Sequence, residues 1–138
     1  MVEPADEDSG ITRPGRVSAW PVFVAVGLAV AEVGIVMEGL YPLAVAGLLL
    51  FIGSVAGIVH EAGYVSRPWT LLGALGLLLV LAGLLVLYSV VGLDFAASLG
   101  SEQTVTIRGW AILGAGVVGL SGGLAGRFVV DTRPAIPE

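Results

Sequence analysis

The chain has 138 residues, of which 57% are hydrophobic and 12% are charged, and it contains no cysteine. A soluble domain averages roughly 45–50% apolar and about 25% charged residues, so this composition excludes most soluble folds and predicts an integral membrane protein. The absence of cysteine excludes disulfides, thiol chemistry and cysteine-ligated metals, and His60 is the only imidazole. We therefore expect no metal and no other cofactor.

The charged residues are unusual in kind. All six basic residues are arginine, whereas eleven residues are acidic and the formal net charge is −5. Acidic segments without lysine hold water where high salt screens their mutual repulsion, which favours an extreme halophile as the source. A genome rich in G and C would also replace lysine by arginine, so both explanations stay open.

The distribution of apolar residues predicts the architecture. Residues 1–17 are acidic and proline-containing, which is typical of a disordered tail. Four apolar segments follow, each expected to be long enough to cross a hydrocarbon core of about 30 Å. They cover residues 19–37, 42–59, 69–91 and 107–126. The sequence thus predicts an all-α polytopic membrane protein, a four-transmembrane-helix antiparallel bundle over residues 18–130, followed by a C-terminal tail over residues 131–138.

The connections between segments set the predicted topology. Residues 38–41 allow only a tight hairpin between the first two helices, whereas residues 92–106 form the only loop long enough to hold structure. Ser18 is the expected N-cap of the first helix, with Pro21 in its first turn. The run Ser66-Arg67-Pro68 begins the third segment in a similar way, and this echo indicates duplication of a two-helix unit.

The arginines predict the orientation. On one side of the membrane Arg108 stands alone, and the other side holds Arg13, Arg16, Arg67, Arg127 and Arg133. The positive-inside rule then places both termini in the cytoplasm of a multi-pass protein of the cell membrane. We expect the five arginines to anchor the chain at lipid headgroups.

Small residues predict how the helices pack, because lipid tails remove the hydrophobic drive between helices and close backbone contact replaces it. The predicted packing residues are Gly53, Gly57, Ala115, Gly119 and Gly123. Internal packing of one bundle is favoured over a dedicated dimer face, although a homo-oligomer stays open.

Glu32 is the chemically unusual residue, since it lies inside the first segment, roughly 9 Å from its outer end. An acidic residue at the centre of a membrane helix costs about 2.5–3.5 kcal/mol, and less toward the interface. By depth, its nearest partners are Tyr88 and Ser89, or Arg108 if that side chain bends inward. We favour a neutral carboxylic acid that holds two helices together over a proton relay, because the chain has no further ionisable group at that depth.

His60 and Glu61 lie at the predicted cytoplasmic exit of the second helix. A metal-binding or pH-sensing role is possible in chemical terms, but packing and capping are favoured because no second imidazole or thiol completes a site. The chain also has no phosphate-binding loop, no nucleophile motif and no basic patch, so neither nucleotide chemistry nor nucleic-acid binding is indicated.

Several short motifs resemble those of the small four-helix membrane proteins of haloarchaea called Cox cluster proteins, which are encoded beside cytochrome oxidase genes. The motifs are Trp20-Pro21, Glu32, the Gly53–Gly57 stretch, Glu61-Ala62-Gly63-Tyr64 and Arg67-Pro68-Trp69. The resemblance covers roughly residues 16 to 130. It implies a noncatalytic accessory subunit or assembly factor of an aerobic terminal oxidase, with oxidase subunits and the lipid bilayer as partners.

A function of another class stays open. Four short helices with one acidic residue in the first are also the outline of small proton-coupled multidrug exporters, in which Glu32 would couple the exchange. Such proteins have aromatic-rich cavities, whereas this chain has few aromatic residues inside its spans, chiefly Phe23 and Phe51.

Overall fold

A computed structural model describes residue 15 and residues 17–37, 40–99 and 103–132. All regular structure in that part of the chain is helical. In chain order the helices are α1 (Trp20–Val36), α2 (Tyr41–Glu61), α3 (Pro68–Val91), the short α4 (Phe95–Ser98) and α5 (Thr104–Asp131). Apart from residues 15 and 17, the predicted tail over residues 1–17 lies outside the described residues, as do residues 133–138.

Three of these helices are long and apolar enough to cross a membrane: α2 with 21 residues, α3 with 24 and α5 with 28. Their outward faces carry large apolar side chains, such as Leu81 and Leu85 of α3, which are 60% and 68% exposed. The protein is therefore an all-α membrane protein. Helix α1 has 17 residues, about 25 Å of helix, so its assignment as a fourth span stays a prediction.

Helix α5 is longer than the predicted segment over residues 107–126. It begins at Thr104 and ends at Asp131. The apolar segment was expected to end at Arg127, but arginine is a good helix former and its long side chain reaches the membrane surface while the helix continues. Phe128 and the two valines after it extend the apolar face by another turn.

Local sequence explains where the helices begin and end. Each of α1, α2 and α3 has proline in its first two positions, where the missing N–H breaks no helical hydrogen bond. Helix α2 ends in a Schellman turn: Gly63 (φ +80°) donates to His60 O, and Tyr64 N donates to Val59 O at 3.2 Å. Ser18 is not the N-cap of α1; Ala19 takes that position without a side-chain cap.

The loop predicted over residues 92–106 does hold structure. Gly92 (φ +63°) ends α3, and Asp94 caps α4 by accepting a hydrogen bond from Ala97 N at 3.3 Å. The indole of Trp110 on α5 then donates to Ser98 Oγ at 3.1 Å. Because Ser98 is only 2% exposed, this bond fastens α4 against the beginning of α5. Residues 100–102 of this loop lie outside the described residues.

Helices α1 and α2 form one closely packed pair, which we call hairpin 1. Small residues set its spacing. A Cβ on Gly27 would lie 2.9 Å from the carbonyl oxygen of Gly47, and a Cβ on Gly34 would overlap the backbone of Ala44. The two backbones therefore touch along the length of the pair, as in other membrane helix interfaces built on small residues.

Helices α3 and α5 form the second closely packed pair, hairpin 2. A Cβ on Gly76 would lie 2.9 Å from the carbonyl oxygen of Gly116, and a Cβ on Gly83 would lie 2.6 Å from Leu113 N. Hairpin 2 is thus spaced by backbone contact in the same way as hairpin 1. The two hairpins meet chiefly through α2, which contacts both α3 and α5. The buried core at this seam includes Ile35, Ala44 and Ala111.

The contacts within the two hairpins are equivalent. In each first helix a tryptophan and two glycines follow at seven-residue spacing, which keeps one face toward the partner along the pair. The two sets are Trp20, Gly27 and Gly34, and Trp69, Gly76 and Gly83, at a constant offset of 49 residues. The residues that they meet are Ala44, Gly47, Phe51 and Gly57 in hairpin 1 and Leu113, Gly116, Leu120 and Gly126 in hairpin 2, at a constant offset of 69.

The tryptophans show the equivalence most directly. The indole of Trp20 lies on Gly57, where a Cβ would be 2.6 Å from the ring, and the indole of Trp69 lies on Gly126 in the same way. Each tryptophan thus closes the end of its hairpin against a glycine of the partner helix. The similarity between the beginnings of α1 and α3 is thus part of a repeat that covers two helices.

Candidate functional site

Glu32 forms an ion pair with Arg108. The carboxylate oxygen Oε2 lies 3.8 Å from a guanidinium nitrogen of Arg108, across the contact between α1 and α5. Both side chains are about half exposed, Glu32 at 56% and Arg108 at 48%. The pair lies on the side of the bundle, near the end of α1 and the beginning of α5. A carboxylate and a guanidinium together form a dipolar patch that a polar group on a partner helix can contact.

Tyr88 and Ser89 do not bind Glu32. The Ser89 hydroxyl donates to Val86 O of its own helix at 2.7 Å, and the Tyr88 side chain is 56% exposed. Helix α3 packs mainly on α5, whereas α1 packs mainly on α2. Tyr88 and Ser89 were predicted as partners because they lie at a similar depth in the membrane to Glu32. They are on α3, which packs mainly on a different helix from α1, so they do not meet Glu32.

Four of the five predicted packing residues make close helix contacts. Ala115 is fully buried, and Gly57 lies under the Trp20 ring. A Cβ on Gly119 would meet Ile52, and one on Gly123 would meet the α3 backbone. The fifth, Gly53, makes no such contact: a Cβ there would meet no heavy atom within 4 Å in the described part of the chain.

Gly53 instead lines an open cavity of about 460 Å³, which we call the tryptophan cavity. It lies at the end of the bundle where α1 and α3 begin and α2 ends. Its walls come from α2 and from the beginning of α3, and the two repeat-related tryptophans, Trp20 and Trp69, both border it. Leu49, Leu50 and Leu72 supply most of the remaining hydrocarbon surface.

His60 and Glu61 lie at the polar rim of the tryptophan cavity. The Ser18 hydroxyl donates to Glu61 Oε2 at 2.6 Å, which ties the beginning of α1 to the end of α2. His60 Nδ1 lies 2.9 Å from Val65 O, and it carries the hydrogen because a carbonyl oxygen only accepts. Both side chains thus hold local structure, and no group of three potential metal ligands exists among the described residues.

A second cavity adjoins the first. It measures about 190 Å³ and shares Pro68 and Trp69 with the tryptophan cavity as walls. Its lining residues include two arginines, Arg67 and Arg127, together with Asp131. We call it the arginine cleft. Its polar lining also includes the hydroxyl-bearing residues Ser66 and Thr70.

The repeat-related tryptophans and their glycines are features that helix-packing motifs did not reveal. The signal is present in the sequence as the seven-residue spacing from Trp20 and from Trp69. A search for small residues four apart does not detect it, since the close contacts recur every two turns.

These features are those of a bundle of apolar helices, three of them long and apolar enough to cross a membrane, which is built from two equivalent hairpins and has one lateral ion pair among the described residues. Residues 5–129 match a family of unknown function, DUF7541, and the chain belongs to that family. Neither a curated protein nor a solved structure matches the chain.

Proposed function

We propose that the protein is a noncatalytic accessory subunit or assembly factor of an aerobic terminal cytochrome oxidase in a haloarchaeal cell membrane, with both termini in the cytoplasm. The oxidase enters through the resemblance to Cox cluster proteins. Several of the residues that carry this resemblance, among them Trp20, Glu61 and Trp69, line the tryptophan cavity.

The observation that carries the subunit role is the exposure of the Glu32–Arg108 pair on the side of the bundle. Charged groups that face acyl chains cost free energy, whereas a partner helix with polar side chains covers them at lower cost. An accessory subunit that packs on this side of α1 and α5 would gain such a contact. The pair then acts as a polar clasp between the protein and its partner.

The same geometry weighs against a proton-coupled exporter, the alternative function. A coupling carboxylate must face a substrate cavity and exchange its proton there. Glu32 lies outside the lining of the tryptophan cavity and is paired with the guanidinium of Arg108.

The test is a mild-detergent pull-down of the tagged protein from its native membrane, with haem absorbance and partner masses read on the eluate. We expect stoichiometric oxidase subunits with haem. Recovery of the protein alone, or of a haem-free dimer that binds hydrophobic cations, would contradict the proposal and support the exporter.

Charge variants test the clasp in the same pull-down. Glu32→Gln keeps a polar contact, so the complex should stay assembled and respire, whereas Glu32→Leu leaves Arg108 without its partner and should weaken assembly. Arg108→Glu should weaken it too, and the exchanged double variant Glu32→Arg/Arg108→Glu should restore most of it. The matched control is Val33→Leu at an exposed apolar neighbour. Loss of proton-linked activity in an intact Glu32→Gln complex would contradict a clasp.

A further inference from the structure

The tryptophan cavity has the properties of a site for hydrocarbon. Its volume of about 460 Å³ is within the range of roughly 300–1,000 Å³ typical of small-ligand cavities. Three of the polar side chains around it already have a partner: Ser54 donates to Leu50 O, Glu61 accepts from Ser18, and His60 bonds Val65 O. What the cavity offers to a ligand is therefore its apolar walls, and inside a bilayer an acyl or isoprenoid chain fills such a space.

The arginine cleft has the properties of a site for an anion. Among the described residues, neither Arg67 nor Arg127 has an ion-pair partner, because the ion pair found there joins Arg108 to Glu32. Asp131 also lines the cleft, so its side chains carry two positive charges and one negative charge. Guanidinium groups bind phosphate through charge-assisted hydrogen bonds.

The two cavities are neighbours, since Pro68 and Trp69 belong to the walls of both. We propose that together they bind one anionic membrane lipid, with a hydrocarbon chain in the tryptophan cavity and its phosphate between Arg67 and Arg127. The arrangement matches a lipid in its chemistry, since an amphiphile has an apolar chain directly attached to a charged headgroup. A free phosphate would use the cleft alone. The proposal does not depend on an oxidase partner.

Tryptophan fluorescence tests the site in the purified full-length chain. Trp110 is first replaced by phenylalanine, because it lies at the other end of α5, so that emission comes from Trp20 and Trp69. Phosphatidylglycerol with brominated chains is titrated into detergent micelles against the same chains on zwitterionic phosphatidylcholine. Each arginine near a membrane surface contributes about a fivefold preference for anionic lipid, and one carboxylate offsets part of it. We therefore expect phosphatidylglycerol to reach half-quenching at a concentration at least about fivefold lower than phosphatidylcholine does.

Three variants separate the two parts of the site. Gly53→Leu should raise the half-quenching concentration of both lipids, because it fills the cavity where the backbone leaves open space. Arg67→Gln/Arg127→Gln should abolish the preference while phosphatidylcholine still quenches. Gly122→Leu is the matched control: an added Cβ there also meets no described atom within 4 Å, and Gly122 lines neither cavity, so it should change neither value. Circular dichroism on each variant checks that the helices are intact.

Three results would overturn the proposal. Equal quenching by the two lipids in the parent protein, or a preference that survives in the double arginine variant, would exclude a headgroup site in the cleft. Inorganic phosphate distinguishes the source of the anion: it should leave quenching by phosphatidylglycerol unchanged. If phosphate at millimolar concentration removed the preference, the cleft would bind a free anion rather than a lipid.

Discussion

Replacement of Gly76 by alanine tests whether backbone contact holds hairpin 2 together. An added Cβ would lie 2.9 Å from Gly116 O and 2.8 Å from the carbonyl carbon of Gly119, and contacts below 3.0 Å essentially never occur for real Cβ atoms. The helices must therefore move apart by about 0.5 Å or more, which forfeits a quarter or more of each dispersion contact along the pair. With the usual cost of overpacking, we expect the free energy of unfolding to fall by about 1–3 kcal/mol.

The matched control is the same substitution at Gly53, where an added Cβ meets no described atom within 4 Å. Alanine is the better helix former by up to about 1 kcal/mol, so Gly53→Ala should leave stability unchanged or raise it slightly. Gly27→Ala is the equivalent change in hairpin 1, where the Cβ would lie 2.6 Å from Phe51 N. Its cost should resemble that of Gly76→Ala.

The assay is reversible unfolding in mixed micelles of dodecyl maltoside and sodium dodecyl sulfate, followed by tryptophan fluorescence and circular dichroism. The free energies of the three variants are compared at one detergent fraction. A loss of stability for Gly53→Ala as large as that for Gly76→Ala would refute the reasoning, because it would mean that helix contact at the glycine does not set the cost.

Three further substitutions probe other contacts of the bundle in the same unfolding assay, with amide exchange added for the last. Leu87→Ala leaves a cavity at a fully buried site and should lower the free energy of unfolding by about 2–5 kcal/mol. Leu85→Ala, on the lipid-facing side of α3, should lower it by less than about 1 kcal/mol. Equal losses would contradict the assignment of the two faces of α3. Ser98→Ala removes the acceptor of the Trp110 indole, so we expect about 1 kcal/mol lower stability and faster amide exchange in α4, and unchanged exchange there would show that the bond does not fasten α4.

The fold class followed from the sequence because the bilayer imposes a length on apolar segments. The predicted segments over residues 42–59 and 69–91 differ from α2 and α3 by at most two residues at any end. The end of α5 was not predictable from apolarity alone, since Arg127 ends the apolar run without ending the helix.

The candidate site was only partly predictable. Glu32 can be identified as a candidate from the sequence alone, because an acidic residue inside an apolar membrane segment costs free energy. Depth along the membrane favoured Tyr88 and Ser89 as its partners over Arg108. In the structure Arg108 is the residue that pairs with Glu32. Depth along the membrane can be counted from a sequence, but which side of a helix faces which neighbour cannot.

The sequence by itself determined that the chain is a bundle of apolar membrane helices, where most of them begin and end, and that Glu32 needs a polar partner. Only the tertiary structure decided that Gly76 and Gly116 touch while Gly53 borders a cavity, and that two equivalent hairpins meet at α2. The physical reason is that a membrane helix is apolar on all sides. The side of a helix that faces lipid and the side that faces protein therefore have similar residues. The close fit of small residues across each helix pair determines how each helix is rotated about its own axis.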